Sequence, residues 1–283
     1  GLQPDSFVYN ALANGCCKEG ETEKALLLFH EMIQKGIASI VTFNTLIDGL
    51  CKWGKLTKAI DLVNEMTDKK ITPNHITFTI LIDYHCKARM IKEAEELFID
   101  MQNRNLKPTN FTYMSLLHGY NKVGNRTKMF SAFENLVERG IEPDELIYSM
   151  MIGAYFKEGH LEKGFKLWDL ALDKGLLDGL TNETLVETLS GNGEISRVME
   201  LLDRIGNQGY NPCLAMCSTL IHGLNKAGYS GRLDKKLEIM KGYGRIPKSK
   251  VLNEFTDLYQ ITTNSESVSN LSKQAALEVA CQV

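Results

Sequence analysis

Long apolar runs are absent from this chain. No stretch approaches the roughly 18 to 20 residues that cross a bilayer, so a membrane partner is not expected. A basic excess is absent too: 32 Lys and Arg stand against 35 Asp and Glu, a formal charge of −3. The usual electrostatic footprint of a nucleic-acid binder is therefore not visible in the total, and only the placement of the cations can supply one. The seven cysteines make no CxxC pair and no even framework. That excludes a disulfide-stapled scaffold and suits reduced thiols packed as small core residues in an intracellular or organellar protein. A zinc deaminase needs His-x-Glu together with Pro-Cys-x-x-Cys, and a metal-dependent nuclease needs clustered carboxylates; neither set is present, and the six histidines are scattered. No enzyme activity, metal, cofactor or small-molecule substrate is expected. Alternating strand patterns are scarce, whereas Leu, Ala, Glu, Lys and Met recur at three- and four-residue spacing, which reads as all-α. With 43% hydrophobic residues the chain has enough apolar matter for a large soluble core.

Proline is also scarce, and its six copies share one phase: Pro4, Pro73, Pro108, Pro143, Pro212 and Pro247, at spacings of 69, 35, 35, 69 and 35. Each 69 is a 34-residue unit plus a 35-residue unit. The frame gives units 6–39, 40–74, 75–109, 110–144, 145–178, 179–213 and 214–248, with residues 1–5 closing an upstream unit, 249–261 a partial unit or capping helix, and 262–283 a tail. Every unit reads as two helices. Gly20, Gly54, Gly124, Gly159, Gly193 and Gly228 turn the chain between them, and Gly36, Gly140, Gly175, Gly209 and Gly244 cap the second helix in a left-handed conformation. On the second helix Ala25, Ala59 and Ala94 share one place, Phe29, Phe98, Phe133 and Trp168 another, and Met32, Met66, Met101 and Met240 a third, all on one face. A hairpin this small cannot bury that face alone, so consecutive units must stack into a solenoid.

The segment VTFNTLIDGLCK, from Val41 to Lys52, resembles the first helix of a P-type pentatricopeptide repeat, and the resemblance extends over residues 1 to about 260. The tetratricopeptide repeat has a similar length but expects a Trp-x-x-Leu-Gly-x-x-Tyr helix, which no unit carries. The resemblance, with restorer-of-fertility-like plant members among the nearest in kind, implies a right-handed α-solenoid. It also implies single-stranded RNA as partner, one base read per unit, with RNA-processing proteins as further partners, in a mitochondrion or chloroplast. The chain opens on Gly1 rather than an initiator methionine, and a targeting peptide is expected to have been removed.

Second, fifth, ninth and thirteenth residues of a first helix lie on one stripe at 3.6 residues per turn. The second places hold Phe7, Val41, Ile76, Phe111, Leu146, Leu180 and Ala215; the large ones suit sandwiching a base between units, or packing between helices. The fifth places hold Asn10, Asn44, Thr79, Met114, Ser149, Glu183 and Ser218, mostly short groups able to address a base edge or to cap a helix. The thirteenth hold Lys18, Lys52, Lys87, Lys122, Lys157 and Lys226, with Gly191 the exception. They form either a phosphate track or a set of charges on helix C-terminal dipoles.

In the family that the chain resembles, the fifth and last residues of a unit read the base. Carried over, Asn10 with Ser39 implies cytosine, Asn44 with Asn74 a pyrimidine, Thr79 with Thr109 a purine, Met114 with Asp144 uracil, and Ser149 with Asp178 guanine. Glu183 with Cys213 and Ser218 with Lys248 match no standard pair, giving a target of the form 5′-C-Y-R-U-G-N-N-3′. The competing reading is a protein-binding helical scaffold of the tetratricopeptide kind, for which a repeated groove lysine has no purpose.

Overall fold

The computed structural model describes residues 4–177 and 179–191, together with residues 197, 198, 201 and 204. Among the described residues there are eleven α-helices and no strand, as the composition leads one to expect. First helices are α1 (Ser6–Lys18), α3 (Ile40–Lys52), α5 (His75–Lys87), α7 (Asn110–Val123), α9 (Glu145–Lys157) and α11 (Gly179–Gly191). Second helices are α2 (Thr22–Gln34), α4 (Leu56–Asp68), α6 (Ile91–Asn103), α8 (Arg126–Glu138) and α10 (Leu161–Asp173).

The first helices start where a short polar side chain can accept an orphan amide. Asp5 accepts from Val8 N at 3.0 Å, Asn74 from Thr77 N at 3.1 Å and Asp144 from Ile147 N at 2.9 Å. Ser39, Asn74 and Thr109 close reciprocal capping boxes with Thr42, Thr77 and Thr112. Helix ends use the left-handed conformation at the seven described turn glycines. Where a unit lacks that glycine, Lys70, Arg89 and Asn105 take up φ values of 58°, 63° and 56° in its place. The turn geometry is thus kept even where the residue that favours it is missing.

The chain divides into two compact units, Gly1–Ile147 and Tyr148–Val283. In the first, α1 to α8 form four hairpins whose first helices pack in succession, α1 on α3, α3 on α5 and α5 on α7. The core runs across hairpins rather than inside any one of them: Phe29 meets Phe43 edge-on at 5.0 Å, and Phe98 meets Tyr113 at 5.6 Å. Ala25, Ala59, Ala94, Met32, Met66 and Met101 are all buried. Met240 lies outside the described residues. Successive first helices come closest at small residues: a Cβ on Gly49 would lie 2.6 Å from Cys17 Cβ, and one on Gly119 would lie 2.7 Å from Cys86 Sγ. Trp53 covers the end of α1, donating from Nε1 to Cys17 O at 2.5 Å. Glu23 with Lys58 and Glu95 with Lys128, each at 2.6 Å, tie neighbouring second helices at the surface.

In the second unit Phe156 packs against Phe165 at 5.0 Å and fills the space over Gly164. Buried Trp168 donates from Nε1 to Asn182 Oδ1 at 3.1 Å, so α10 is anchored to the following first helix by a satisfied polar contact.

Burial raises the Cys51 and Cys86 thiols to about 12, with Asp83 adding to the effect in both cases. Their core role is therefore also an inert one.

Two outcomes test this packing. Gly49→Ala is expected to destabilise the chain by about 1 to 3 kcal/mol through overpacking, read as a lowered urea midpoint. At pH 8 the thiolate fraction of Cys51 and Cys86 lies about a thousandfold below that of a thiol at the ordinary value of 9.0. Both should resist alkylation in the folded chain until the pH approaches 12, and react at once in denaturant.

Candidate nucleic-acid interface

The second places of the first helices decide between the two roles open to them. Phe7, Val41, Ile76, Phe111 and Leu146 are 78%, 57%, 46%, 58% and 59% exposed. Large apolar side chains left in water once per repeat are not filling helix interfaces. Single exposed hydrophobics are ordinary, but five in phase form a built feature.

On the same stripe, the fifth residues of the second, third and fifth units make polar contacts with the third residue of the following unit. Asn44 is 7% exposed and Thr79 6%. Asn44 Nδ2 donates to Asn74 Oδ1 at 3.3 Å, so the fifth residue of one unit touches the last residue of the same unit, 30 places along the chain. Asn74 Oδ1 is in turn held by the Ile76 and Thr77 amides at 3.0 and 3.1 Å. Thr77 Oγ1 donates to Asn44 Oδ1 at 2.7 Å. In the next unit Thr79 Oγ1 lies 2.8 Å from Thr112 Oγ1, and Thr112 Oγ1 lies 3.2 Å from Thr109 Oγ1. Within the second compact unit Thr181 Oγ1 donates to Ser149 Oγ at 2.7 Å.

Ser39, Asn74, Thr109 and Asp144 are thus all helix N-caps, and capping sits alongside whatever else these residues do. The fifth residues are not caps: they stand a full turn inside the helix. Asn10 Oδ1 is buried without a partner. Met114 and Glu183 are partly exposed, as is Ser149.

Lys18, Lys52, Lys87, Lys122 and Lys157 are exposed, and the middle three are engaged by the protein. Lys52 pairs with Asp48 and Lys87 with Asp83, each at 2.6 Å. Lys122 Nζ donates to the Lys87 carbonyl at 2.6 Å, at the C-terminus of the neighbouring first helix. Asp48 and Asp83 occupy the ninth place of the same stripe, so the first helices carry acids as well as the lysines. Exposed i,i+4 pairs of this kind contribute only about 0.3 to 0.5 kcal/mol, so an incoming phosphate can compete for the ammonium.

The side chain of Leu180, and residues Asp178, Cys213, Ala215, Ser218, Lys226 and Lys248, lie outside what is described. So do residues 192–196, 199, 200, 202, 203 and 205–283. What the sequence reading missed is the third place, Thr42, Thr77, Thr112 and Thr181: Thr77 and Thr112 touch both the cap and the preceding unit's fifth residue, Thr42 the Ser39 cap, and Thr181 the fifth residue Ser149. Its signal was a large apolar residue followed by threonine at the start of successive units: Val41-Thr42, Ile76-Thr77, Phe111-Thr112 and Leu180-Thr181. Among the described residues no cluster of His, Cys, Asp or Glu could hold a metal, and no helix is long and apolar enough to cross a membrane.

The PPR repeat family model matches residues 38–87 and 76–122, and the PPR repeat model matches residues 7–37, 111–141 and 146–176. The fold is similar to that of the pentatricopeptide repeat protein PPR10 from maize. The identity is 25% and the TM-score 0.59, over 88% of this chain and 36% of that one. PPR10 solved in complex with an 18-nt psaJ RNA element matches at 22% identity and a TM-score of 0.55, over 88% of this chain and 40% of that one. The present chain thus spans well under half the length of these structures. No curated protein sequence matches it.

Asn74→Ala removes the acceptor of two helix-start amides and the partner of Asn44. It is expected to cost about 1 kcal/mol of stability, measured by urea unfolding, and Asn74→Asp, which retains the cap oxygen, should recover most of it.

Proposed function

The chain belongs to the pentatricopeptide repeat family, and from that premise we propose that it binds single-stranded RNA along its row of first helices, one base per repeat. It does so without catalysing a reaction. The observation that carries this reading is the exposed row of Phe7, Val41, Ile76, Phe111 and Leu146 with an ordered polar node beside it. An apolar side chain can cover the face of any base, while amides and hydroxyls address its edge.

The base-facing pairs are Asn10 with Ser39, Asn44 with Asn74, Thr79 with Thr109, Met114 with Asp144 and Ser149 with Asp178. Glu183 with Cys213 and Ser218 with Lys248 offer no matched pair. The contact between Asn44 and Asn74 supports treating fifth and last residues as one reading unit. Lys18, Lys52, Lys87, Lys122, Lys157 and Lys226 serve the backbone as point charges without sequence preference. Binding acts by occupying a transcript, in protection, processing, editing, splicing or translation, with RNA-processing proteins as partners. The likeness to a maize protein favours a plant mitochondrion or chloroplast as the setting.

Fluorescence anisotropy of the 283-residue chain against pooled single-stranded RNA, at several salt concentrations, tests the proposal. Affinity should fall steeply with salt, and replacing Lys52, Lys87 and Lys122 together by Ala should flatten the log–log slope by about 2. Phe111→Ala should weaken binding by about 1 to 3 kcal/mol while leaving the melting temperature nearly unchanged, because the side chain is already in water. Salt-insensitive binding unaffected by these lysines would instead favour the protein-binding scaffold.

A further inference from the structure

Thr77 opens one repeat, yet its hydroxyl is committed to a residue of the repeat before it: Oγ1 donates to Asn44 Oδ1 at 2.7 Å. We infer that this threonine is a positioning residue for base recognition, fixing which end of the Asn44 amide faces the RNA, so that the base preference of one repeat is set in part by the next. The inference rests on the RNA-reading proposed above and names a determinant inside it.

The proton count leaves one arrangement. Thr77 Oγ1 accepts the Asn74 amide at 3.2 Å and has a single proton to give, either to Asn44 Oδ1 at 2.7 Å or to Asn74 Oδ1 at 3.2 Å. Asn74 Oδ1 already receives the Ile76 and Thr77 amides and Asn44 Nδ2, so the proton goes to Asn44. A flipped Asn44 amide would set its oxygen against Asn74 Oδ1 at 3.3 Å with no proton between two acceptors. What remains for a base is one N–H and one lone pair of Asn44, and the amino group of Asn74, all at fixed orientation. Asn44 is 7% exposed, so only that edge can be read.

The device recurs with different chemistry. Thr79 spends its own proton on His75 O at 2.7 Å, so the proton in the 2.8 Å contact with Thr112 comes from Thr112. Thr79 is left offering an acceptor alone. Thr181 donates to Ser149 in the same way. Where the fifth residue is Met114, with nothing to receive a hydroxyl, the third place holds Ile147 instead of threonine. Thr42 occupies the third place too, but it closes only the Ser39 cap, and Asn10 Oδ1 has no partner. Thr42 is therefore a built-in control: it has the same capping role with no hold on the fifth residue.

The test is a base-selectivity profile of the 283-residue chain on RNAs permuted at each position, for the native sequence, Thr77→Val, Thr77→Ser and Thr42→Val, with melting temperatures alongside. The native chain should prefer pyrimidine over purine at one position that responds to Asn44 substitution. Thr77→Val should lower that ratio by about fivefold, the loss of one hydrogen bond, and leave the other positions unchanged. Thr77→Ser should keep it, and Thr42→Val should shift the melting temperature without changing selectivity anywhere. An unchanged ratio in Thr77→Val, with a melting shift equal to that of Thr42→Val, overturns the inference while leaving RNA reading intact. Absence of RNA binding by the native chain overturns both. If Thr77→Val does not fold, Thr112→Val at the position facing Thr79 makes the same decision.

Discussion

Close approach between successive first helices is the constraint on which the first compact unit depends. Each hairpin is two thirteen- or fourteen-residue helices, and neither it nor its neighbour has an interior of its own. Gly49 against Cys17 and Gly119 against Cys86 let the backbones come near enough for Phe43 to reach Phe29 and for Tyr113 to reach Phe98. That same nearness brings the start of one first helix alongside the second turn of the previous one. A threonine closing a cap then lies within hydrogen-bond distance of an asparagine 33 residues earlier. Stability in such a stack is shared between units and the contacts that join them, and here the joining contacts are apolar on one side and polar on the other.

Much of this was legible in the sequence because period and punctuation are one-dimensional properties. The proline phase, the glycine turns and the Ala, Phe and Met places of the second helices led to helix pairs, and helix pairs are found. Burial could not be read in the same way. Phe29 and Phe111 are the same residue type, one fully buried and the other 58% exposed. Which of them faces water depends on neighbours brought in by stacking, not on local pattern. The Asp48 and Asp83 pairings are local by contrast, each acid standing one turn before its lysine on the same helix. Lys70 and Arg89 in left-handed turns show the limit from the other side, since the fold imposes a conformation that the local residue does not favour.

An overall negative charge is compatible with an ordered row of exposed lysines. Lys52 and Lys87 are held within 2.6 Å of carboxylates on their own helix, which keeps the extended side chains in place at little cost in free energy. The pairing also tempers their attraction for polyanions at large.

The bond from Thr77 to Asn44 also bears on how a repeat array can change over generations. Arrays grow, shrink and reshuffle by exchange between similar stretches of sequence, and the natural unit of exchange looks like one repeat. A crossover anywhere between residues 44 and 77 separates the Asn44 amide from the hydroxyl bonded to it. A crossover between 79 and 112 does the same for the next pair. Exchanges that bring a Met114-like residue beside a threonine, or an Asn44-like residue beside an isoleucine, create mismatched junctions even though each repeat is intact. The heritable module of such an array is then offset from the structural one, beginning inside one helix pair and ending just inside the next.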